Sequence, residues 1–318
     1  MSHFNLNIGK SPVFEALIRN AKIIAGTDVT VLIKGETGTG KEVLANAIQK
    51  HSTRADKPFI ILNCAALSES LIESALFGHK KGAFTGAIEN KQGLLQSANE
   101  GTLFLDEVNS LPLSIQAKLL RFLESGDCLP VGETKPYKVN VRVISATNMD
   151  LAKKISTGKF RQDLFFRLNI VPIELPSLKQ RTEDIELLVK HFLFIYAEKH
   201  STPPPKLSKR TIKVLKSYNW PGNIRELRNL CERLSILLAG KIIEPENLPL
   251  EFIKHTSTSK AVEFILPKTG LNLDALEIDM INQALIRTKG NRSQSARLLG
   301  ISRDTLLYRI KKYNLAIA

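Results

Sequence analysis

The chain has 318 residues, enough for two or three domains with a sizeable core, and its 45 Lys and Arg against 31 Asp and Glu give +14, which favours anionic partners, nucleic acid first. Its three cysteines, Cys64, Cys128 and Cys231, show no CxxC spacing, which argues against a disulfide framework or zinc site and for a reducing compartment. No apolar run approaches the roughly 18 residues of a membrane span, and Met1-Ser2-His3-Phe4-Asn5 has no signal-peptide pattern, so a cytoplasmic protein is expected.

From Val29 to about Glu174, short β-rich runs alternate with amphipathic stretches. Strands are predicted at Val29–Ile33, Phe59–Leu62, Gly101–Leu105, Val139–Ala146 and Ile170–Leu175, with a helix from Glu42 to His51. The alternation predicts an α/β fold, a parallel sheet with helices on both faces, and the unbroken apolar runs fit strands covered on both sides. From Arg181 to about Glu251 the pattern turns helical and reads as a lid, with Pro203-Pro204-Pro205 as a loop between its helices. The expected division is an α/β core over 1–175, a helical lid over 176–253, a polar linker over 254–272 and a small all-α domain over 273–318.

The first predicted strand runs into Gly35-Glu36-Thr37-Gly38-Thr39-Gly40-Lys41-Glu42 and then a helix. Glycines there let backbone N–H groups curl around phosphates, the helix N-terminus favours their charge, and Lys41 can reach the β- and γ-phosphates. Glu42 stands where Ser or Thr usually offers Mg²⁺ a hydroxyl; its carboxylate can bind the ion directly or through water. Asp106-Glu107 ends an apolar strand, placing one carboxylate for Mg²⁺ and the next to polarise a water for attack on the γ-phosphate. Thr147-Asn148 ends another, placed for a polar contact to the γ-phosphate or that water. Arg161 and Arg167, six residues apart among aromatics, suit transition-state charge in a neighbouring subunit; surface salt bridges are the plainer reading. In Trp220-Pro221-Gly222-Asn223-Ile224-Arg225, Asn223 reads as an N-cap and Arg225 enters the first turn of a lid helix.

Between the phosphate loop and Asp106 lies Gly82-Ala83-Phe84-Thr85-Gly86-Ala87, whose composition suits a mobile loop carrying Phe84 and Thr85 outward, or a tight turn burying one Phe. Near the C-terminus, a helix over 274–289 with Leu276, Ile278, Ile281, Ala284 and Leu285 towards a core is closed by Lys289-Gly290-Asn291. Ser293–Leu299, a Gly300-Ile301-Ser302 turn and Arg303–Tyr313 complete a helix–turn–helix, whose second helix enters the major groove. Arg292, Arg297, Arg303, Arg309, Lys311 and Lys312 concentrate charge there, with Asp304 the one acid from Ile286 onward. A basic helical dimerisation domain is the alternative.

Together these motifs resemble the bacterial enhancer-binding proteins, sigma-54-dependent transcription activators of the AAA+ superfamily, from Ile8-Gly9-Lys10-Ser11-Pro12 to the C-terminus. The resemblance implies a AAA+ P-loop ATPase with a helical lid, and makes Gly82 to Ala87 the loop that engages sigma-54. It assigns Lys41 and Glu42 to the phosphate loop, where Glu is the usual residue, and Asp106 and Glu107 to the Walker B pair. By the same likeness Asn63 holds the catalytic Glu until the nucleotide state changes, and Thr147 and Asn148 form sensor I. Arg161 and Arg167 match the arginine fingers and Arg225 sensor II. The C-terminus is similar to Fis-type domains, which pair as dimers; Ser302, Arg303, Thr305 and Arg309 are the candidates for reading bases. Lys80-Lys81 ahead of the loop, where relatives often carry an acid, and Glu100 in place of a common Gly are departures. The implied activity is ATP hydrolysis with Mg²⁺ by a homo-oligomer (a dimer up to a hexameric ring) bound to double-stranded enhancer DNA. Its output is conversion of the sigma-54 RNA polymerase closed complex into an open one. A DNA-binding regulator using ATP only to control oligomerisation is the alternative, but would need a degraded loop or catalytic pair; a generic AAA+ unfoldase would not need the helix–turn–helix. Because the ATPase pattern starts by about Ile8, no receiver or ligand-sensing domain is expected ahead of it, and control is expected from a separate regulatory protein in trans or from expression level, unless the chain is truncated.

Overall fold

The computed structural model describes residues 8–84, 86–252, 270–288 and 290–315. Thr85, Lys289 and the stretch 254–269 of the expected linker lie outside the described residues. The chain opens with α1 (Pro12–Ala25), β1 (Val31–Lys34), α2 (Lys41–Lys50), β2 (Phe59–Asn63) and α3 (Glu69–Phe77). A small hairpin of β3 (Gly78–His79) and β4 (Lys91–Gln92) follows, then α4 (Leu94–Ser97), β5 (Thr102–Asp106) and α5 (Leu113–Ser125). A second hairpin, β6 (Asp127–Cys128) and β7 (Tyr137–Lys138), precedes β8 (Arg142–Thr147), α6 (Leu151–Ser156), α7 (Gln162–Leu168) and β9 (Val171–Glu174).

Five strands form one sheet in the order β2-β5-β8-β1-β9, and every neighbouring pair is parallel. Successive strand residues point to opposite faces, so each strand feeds two cores. Leu32, Leu62, Leu103, Leu105 and Val143 pack against Ile72 and Leu76 of α3 and Ile115 and Leu119 of α5. Val31, Ile33, Phe104, Ile144 and Ala146 pack against Phe14 and Leu17 of α1 and Leu44 and Ile48 of α2. A fully buried side chain of this kind contributes about 1.5–3 kcal/mol. The parallel sheet between two helical layers is the one the alternation predicts.

Strand edges differ from the sequence expectation. The predicted strand from Val139 enters the sheet only at Arg142, because the preceding residues are tied elsewhere. Val139 N–H donates to Gly126 O, and the Asn140 side chain and carbonyl both accept from the buried Arg54 guanidinium.

A 3₁₀ segment (Leu178–Asp184) leads to the lid: α8 (Ile185–Lys199), β10 (Lys206–Leu207), α9 (Lys209–Ser217), α10 (Asn223–Leu237) and β11 (Ile242–Ile243). Its core centres on Trp220, wholly buried, edge-on to Tyr218 at 5.2 Å and donating its indole N–H to Leu215 O. The triple proline lies in the loop between α8 and α9, as predicted.

The residues group into two compact units, 1–257 and 258–318. In the second, α11 (Leu273–Arg287), α12 (Arg292–Leu299) and α13 (Arg303–Lys312) bury Ile281, Leu285, Ala296, Leu306 and Ile310 together. Asn272, Asn291 and Ser302 each cap one of these helices by accepting a backbone N–H. Leu276 and Ile278, expected in this core, are only half-buried; the core face of α11 begins one turn later, at Ile281.

Candidate functional site

All strands of the five-stranded sheet being parallel, the carboxyl ends of β1, β5 and β8 open on one crevice, where ligands of open α/β sheets bind. The phosphate loop joins β1 to α2 there. Gly38 and Gly40 adopt φ of +79° and +100°, which L side chains rarely tolerate. Gly38 also lies so close to the lid that a Cβ would sit 2.3 Å from Gly222 O. Lys41 is buried, with Nζ donating to Gly35 O at 2.9 Å and Glu36 O at 3.1 Å. Burial holds its pKa below the ordinary lysine value, against the pull of the Asp106 and Glu107 carboxylates, and Arg225 lowers it further. Thr39 Oγ1 donates to Glu36 O.

A cleft of about 710 Å³ extends from this loop to the lid, lined by Lys41, Glu42, Asp106, Arg181, Arg225 and Arg228 among others. Asp106 ends β5, one carboxylate oxygen accepting Glu107 N–H at 3.0 Å. Glu107 itself has φ +52°, backbone strain of about 1–3 kcal/mol of the kind found at working sites. Asn63 ends the neighbouring strand, paired in register with Asp106, and its side-chain oxygen accepts Ala65 N–H at 2.9 Å.

Thr147 and Asn148 part company. The Thr147 hydroxyl, buried, donates to Asn109 Oδ1 at 2.8 Å, while Asn148 Nδ2 donates to Thr37 Oγ1 at 3.1 Å. The Asn148 side chain therefore touches the phosphate loop, which Thr147 meets through its carbonyl, accepting Gly35 N–H at 3.2 Å, while its hydroxyl braces the 3₁₀ turn (Val108–Ser110) that follows Glu107.

The reading of Asn223 as an N-cap is corrected: Gly222 holds that position, and the Asn223 carboxamide instead bonds to Leu178, Glu36 and Thr37. Arg225 stands in the first turn of α10 with its N–H on Gly38 O at 3.3 Å. Sequence reasoning passed over Arg181, which is 2% exposed, donates to Thr39 O and lies 4.6 Å over the Phe14 ring. Burial brings its pKa down to about 10, still a cation at neutral pH. Preceded by Lys179-Gln180 and followed by Thr182-Glu183, it looks in sequence like a surface charge.

Arg161 and Arg167 are away from this cleft. Arg167 lines a groove with Asp28, Val29, Thr30 and Arg142, at the amino ends of the strands, and donates twice to Leu123 O. Arg161 forms a two-point pair with Asp163, which raises its pKa, and its N–H donates to Gln116 Oε1. Arg167 thus lies at the opposite end of the sheet from Lys41.

The hexapeptide sits at the tip of the β3–β4 hairpin, closed by Gly82 N–H on Ala87 O at 2.8 Å and Ala87 N–H on Phe84 O. It is a tight turn, but one that leaves Phe84 40% exposed, its ring edge-on to His79 at 4.9 Å. Gly82 and Gly86 have φ of +83° and +104° with open space around them, and Ala87 is buried. Lys80 pairs with Glu133 at 3.2 Å, and Lys81 N–H donates to Asn90 Oδ1. The positive φ at Glu100, +60°, accounts for the interest of that departure: a glycine would sit there without strain.

In the helix–turn–helix, Gly300 makes the turn with φ +67°, and the Ser302 hydroxyl is occupied as the cap of α13, accepting Thr305 N–H. Arg292, Arg297, Arg303, Lys311 and Lys312 are exposed. Counting acids only from Ile286 onward missed the partners on α11: Arg309 pairs with Glu277 at 2.5 Å, and Lys312 lies 3.9 Å from Asp274. The positive surface is thus weaker along one side of α13 than its sequence suggests.

Residues 7–174 match the sigma-54 interaction domain, 179–263 the AAA+ ATPase lid domain and 272–313 the bacterial regulatory protein Fis family. The chain is 45% identical to the sigma-54-dependent transcriptional regulator UacR of Escherichia coli, over 98% of this chain and 54% of that protein. It is 45% identical to the transcriptional regulatory protein ZraR of Salmonella typhimurium, over 96% of this chain and 68% of that one. The crystal structure of NtrX from Brucella abortus in complex with ATP superposes with a TM-score of 0.72 at 35% identity, over 96% of this chain and 68% of NtrX. The chain therefore spans about half the length of UacR and about two thirds of the other two. It belongs to the AAA+ family of sigma-54-dependent transcriptional regulators.

Proposed function

We propose that this chain activates transcription by hydrolysing ATP to remodel the sigma-54 RNA polymerase closed complex into an open one. The observation that carries the reading is the joining of two features in one core. A phosphate-loop cleft with Lys41, Asp106 and Glu107 occurs together with a hairpin, inserted between α3 and β5, that presents Phe84 to solvent. ATP lies in the cleft with its phosphates on the loop 35–42, Lys41 leaving the Gly35 and Glu36 carbonyls for the β- and γ-phosphates. Arg225 reads the bound nucleotide from the lid. Glu107 polarises the attacking water, Asn148 orients it or the γ-phosphate, and Asn63 restrains Glu107 until the nucleotide state changes.

The donor set suits a magnesium ion: among the described residues the Asp106 carboxylate accepts only one N–H, and it stands in the cleft and acts electrostatically on Lys41. Asp106 would hold that ion, with Glu42 as a further oxygen donor, and the ion supplies neutralisation of phosphate charge. Arg161 and Arg167 act on the site of the next subunit in a ring, completing it in trans. The division into core (1–175), lid (176–253), linker (254–272) and DNA-binding domain (273–318) follows the change of pattern along the chain. Dimers of the last domain hold double-stranded enhancer DNA, through phosphate contacts from Arg292, Arg297, Lys311 and Lys312 and base contacts from Arg303, Thr305 and Arg309. Ser302 serves this through its cap. A separate regulatory protein acts in trans. The molecule works in the bacterial cytoplasm; among the described residues no helix is long and apolar enough to cross a membrane.

The test is Phe84→Ala. ATPase activity and DNA binding are expected to survive while transcript from a sigma-54 promoter is lost; unchanged transcription in that variant refutes the proposal.

A further inference from the structure

Asn223 opens α10 with φ +50° and is wholly buried. Its carboxamide bonds to three groups outside its helix. Oδ1 accepts Leu178 N–H at 2.8 Å, while Nδ2 donates to Glu36 Oε2 at 2.9 Å and to Thr37 O at 3.1 Å. Leu178 begins the segment leading into the lid, and Glu36 and Thr37 belong to the phosphate loop. Helix capping does not explain this geometry, since Gly222 stands at the N-cap. Asn is among the few residues that enter the left-handed region at modest cost, and here that backbone aims a buried amide at the loop.

Glu36 has two ends in use. Its carbonyl accepts Lys41 Nζ at 3.1 Å and Thr39 Oγ1 at 2.8 Å; its carboxylate accepts from Asn223. Alongside, Gly38 O accepts Ile224 N–H at 2.9 Å and Arg225 N–H at 3.3 Å. The lysine aimed at phosphate and the helix start that carries Arg225 are therefore two ends of one hydrogen-bonded chain running through Glu36.

We propose that Asn223 is a positioning residue for ATP hydrolysis, forming with Glu36 a latch that couples the phosphate loop to the lid. This rests on the reading that the cleft binds ATP. When phosphates draw Lys41 Nζ away from the Glu36 carbonyl, the loop backbone shifts. The Glu36 carboxylate then carries that shift through Asn223 to α10 and Arg225.

Asn223→Asp keeps the size, the tolerance for positive φ and the acceptor for Leu178 N–H, but sets a carboxylate against Glu36. Hydrogen bonds to charged groups and like-charge contacts of this closeness are worth about tenfold or more in an equilibrium. The KM for ATP is expected to rise at least about tenfold. Adding Glu36→Gln, whose carboxamide offers a donor to the new carboxylate, is expected to recover most of that loss, so that the two substitutions couple at least about fivefold in a double-mutant cycle. A purely packing role for Asn223 would lower the melting temperature without answering to residue 36. If Asn223→Asp does not fold, Glu36→Ala at its exposed position carries the test. Its expected result is severalfold faster hydrogen exchange at the Ile224 and Arg225 amides in nucleotide-free protein. Additive effects in the cycle overturn the latch, as do unchanged exchange rates in Glu36→Ala. Failure of the wild-type chain to bind ATP, with Lys41→Ala as the blank, overturns the reading beneath it as well.

Discussion

Gly38→Ala separates two demands on the phosphate loop, and Gly82→Ala provides the matched comparison. The two glycines have nearly the same backbone, φ +79° and +83°, so both substitutions carry the left-handed penalty of about 1–2 kcal/mol. They differ in what the new methyl meets. At Gly82 nothing lies within 4 Å; at Gly38 the Cβ falls 2.3 Å from Gly222 O and 3.1 Å from Arg225 Cβ. A carbon and a carbonyl oxygen rest about 3.3 Å apart, so Gly222 has to retreat by roughly 1 Å. That displacement strains the bonds from Ile224 and Arg225 N–H to Gly38 O and pushes the lid off the loop. Overpacking of this kind costs about 1–3 kcal/mol beyond the backbone term. Titration with a fluorescent ATP analogue is expected to show affinity reduced about tenfold or more in Gly38→Ala. In Gly82→Ala affinity should stay within about twofold of wild type, one kcal/mol being a factor of about five. Equal affinities for the two variants would refute the claim that the lid seats directly on the loop.

Other substitutions probe other parts. Arg161→Ala is expected to slow hydrolysis on the order of 10³-fold, as for arginine fingers elsewhere; mixing with Lys41→Ala protein should restore part of it, and no recovery from an intact ring would count against action in trans. Trp220→Ala should destabilise the lid by about 3–5 kcal/mol, read as a lower denaturation midpoint. The Arg54 guanidinium holds the Asp28 carboxyl below its usual range, so the pair's stability is present above the unfolded value of 3.8 and lost as pH falls through the lower folded value. Asp28→Asn should therefore flatten the acid limb of the unfolding curve, and an unchanged limb would exclude that pair as its source. In DNA binding, Lys311→Ala should lower the slope of log affinity against log salt by about one; Lys312→Ala should lower it less, because Asp274 already lies 3.9 Å from that lysine.

The core was legible because its strands are short apolar runs set by motif residues at their ends: Gly35 after β1, Asp106 closing β5, Thr147 closing β8. Boundaries were less so, since Val139 looks like strand in isolation and is held out of the sheet by distant partners, Gly126 among them. The residues that line the cleft, Lys41, Glu42, Asp106 and Arg225 among them, stand in motifs visible in the sequence. What local pattern could not carry were contacts between segments far apart in sequence. Asn223 reads as a cap from its neighbours, but its partners are 45 and 187 residues away. Arg309 reads as free charge until α11 brings Glu277 beside it. Thr147 reads as a nucleotide contact until Asn109 takes its hydroxyl. Phe84 shows the middle case: its neighbours allow either a tight turn or an outward aromatic, and the hairpin is both.

The most direct test of the central claim is open-complex formation in a purified system of this chain, sigma-54 RNA polymerase and promoter DNA carrying its upstream site. Permanganate reactivity of the melted strand is expected to appear only with hydrolysable ATP and to vanish in Glu107→Gln protein that still binds nucleotide. Melting with a non-hydrolysable analogue, or melting that persists in Glu107→Gln, would contradict it.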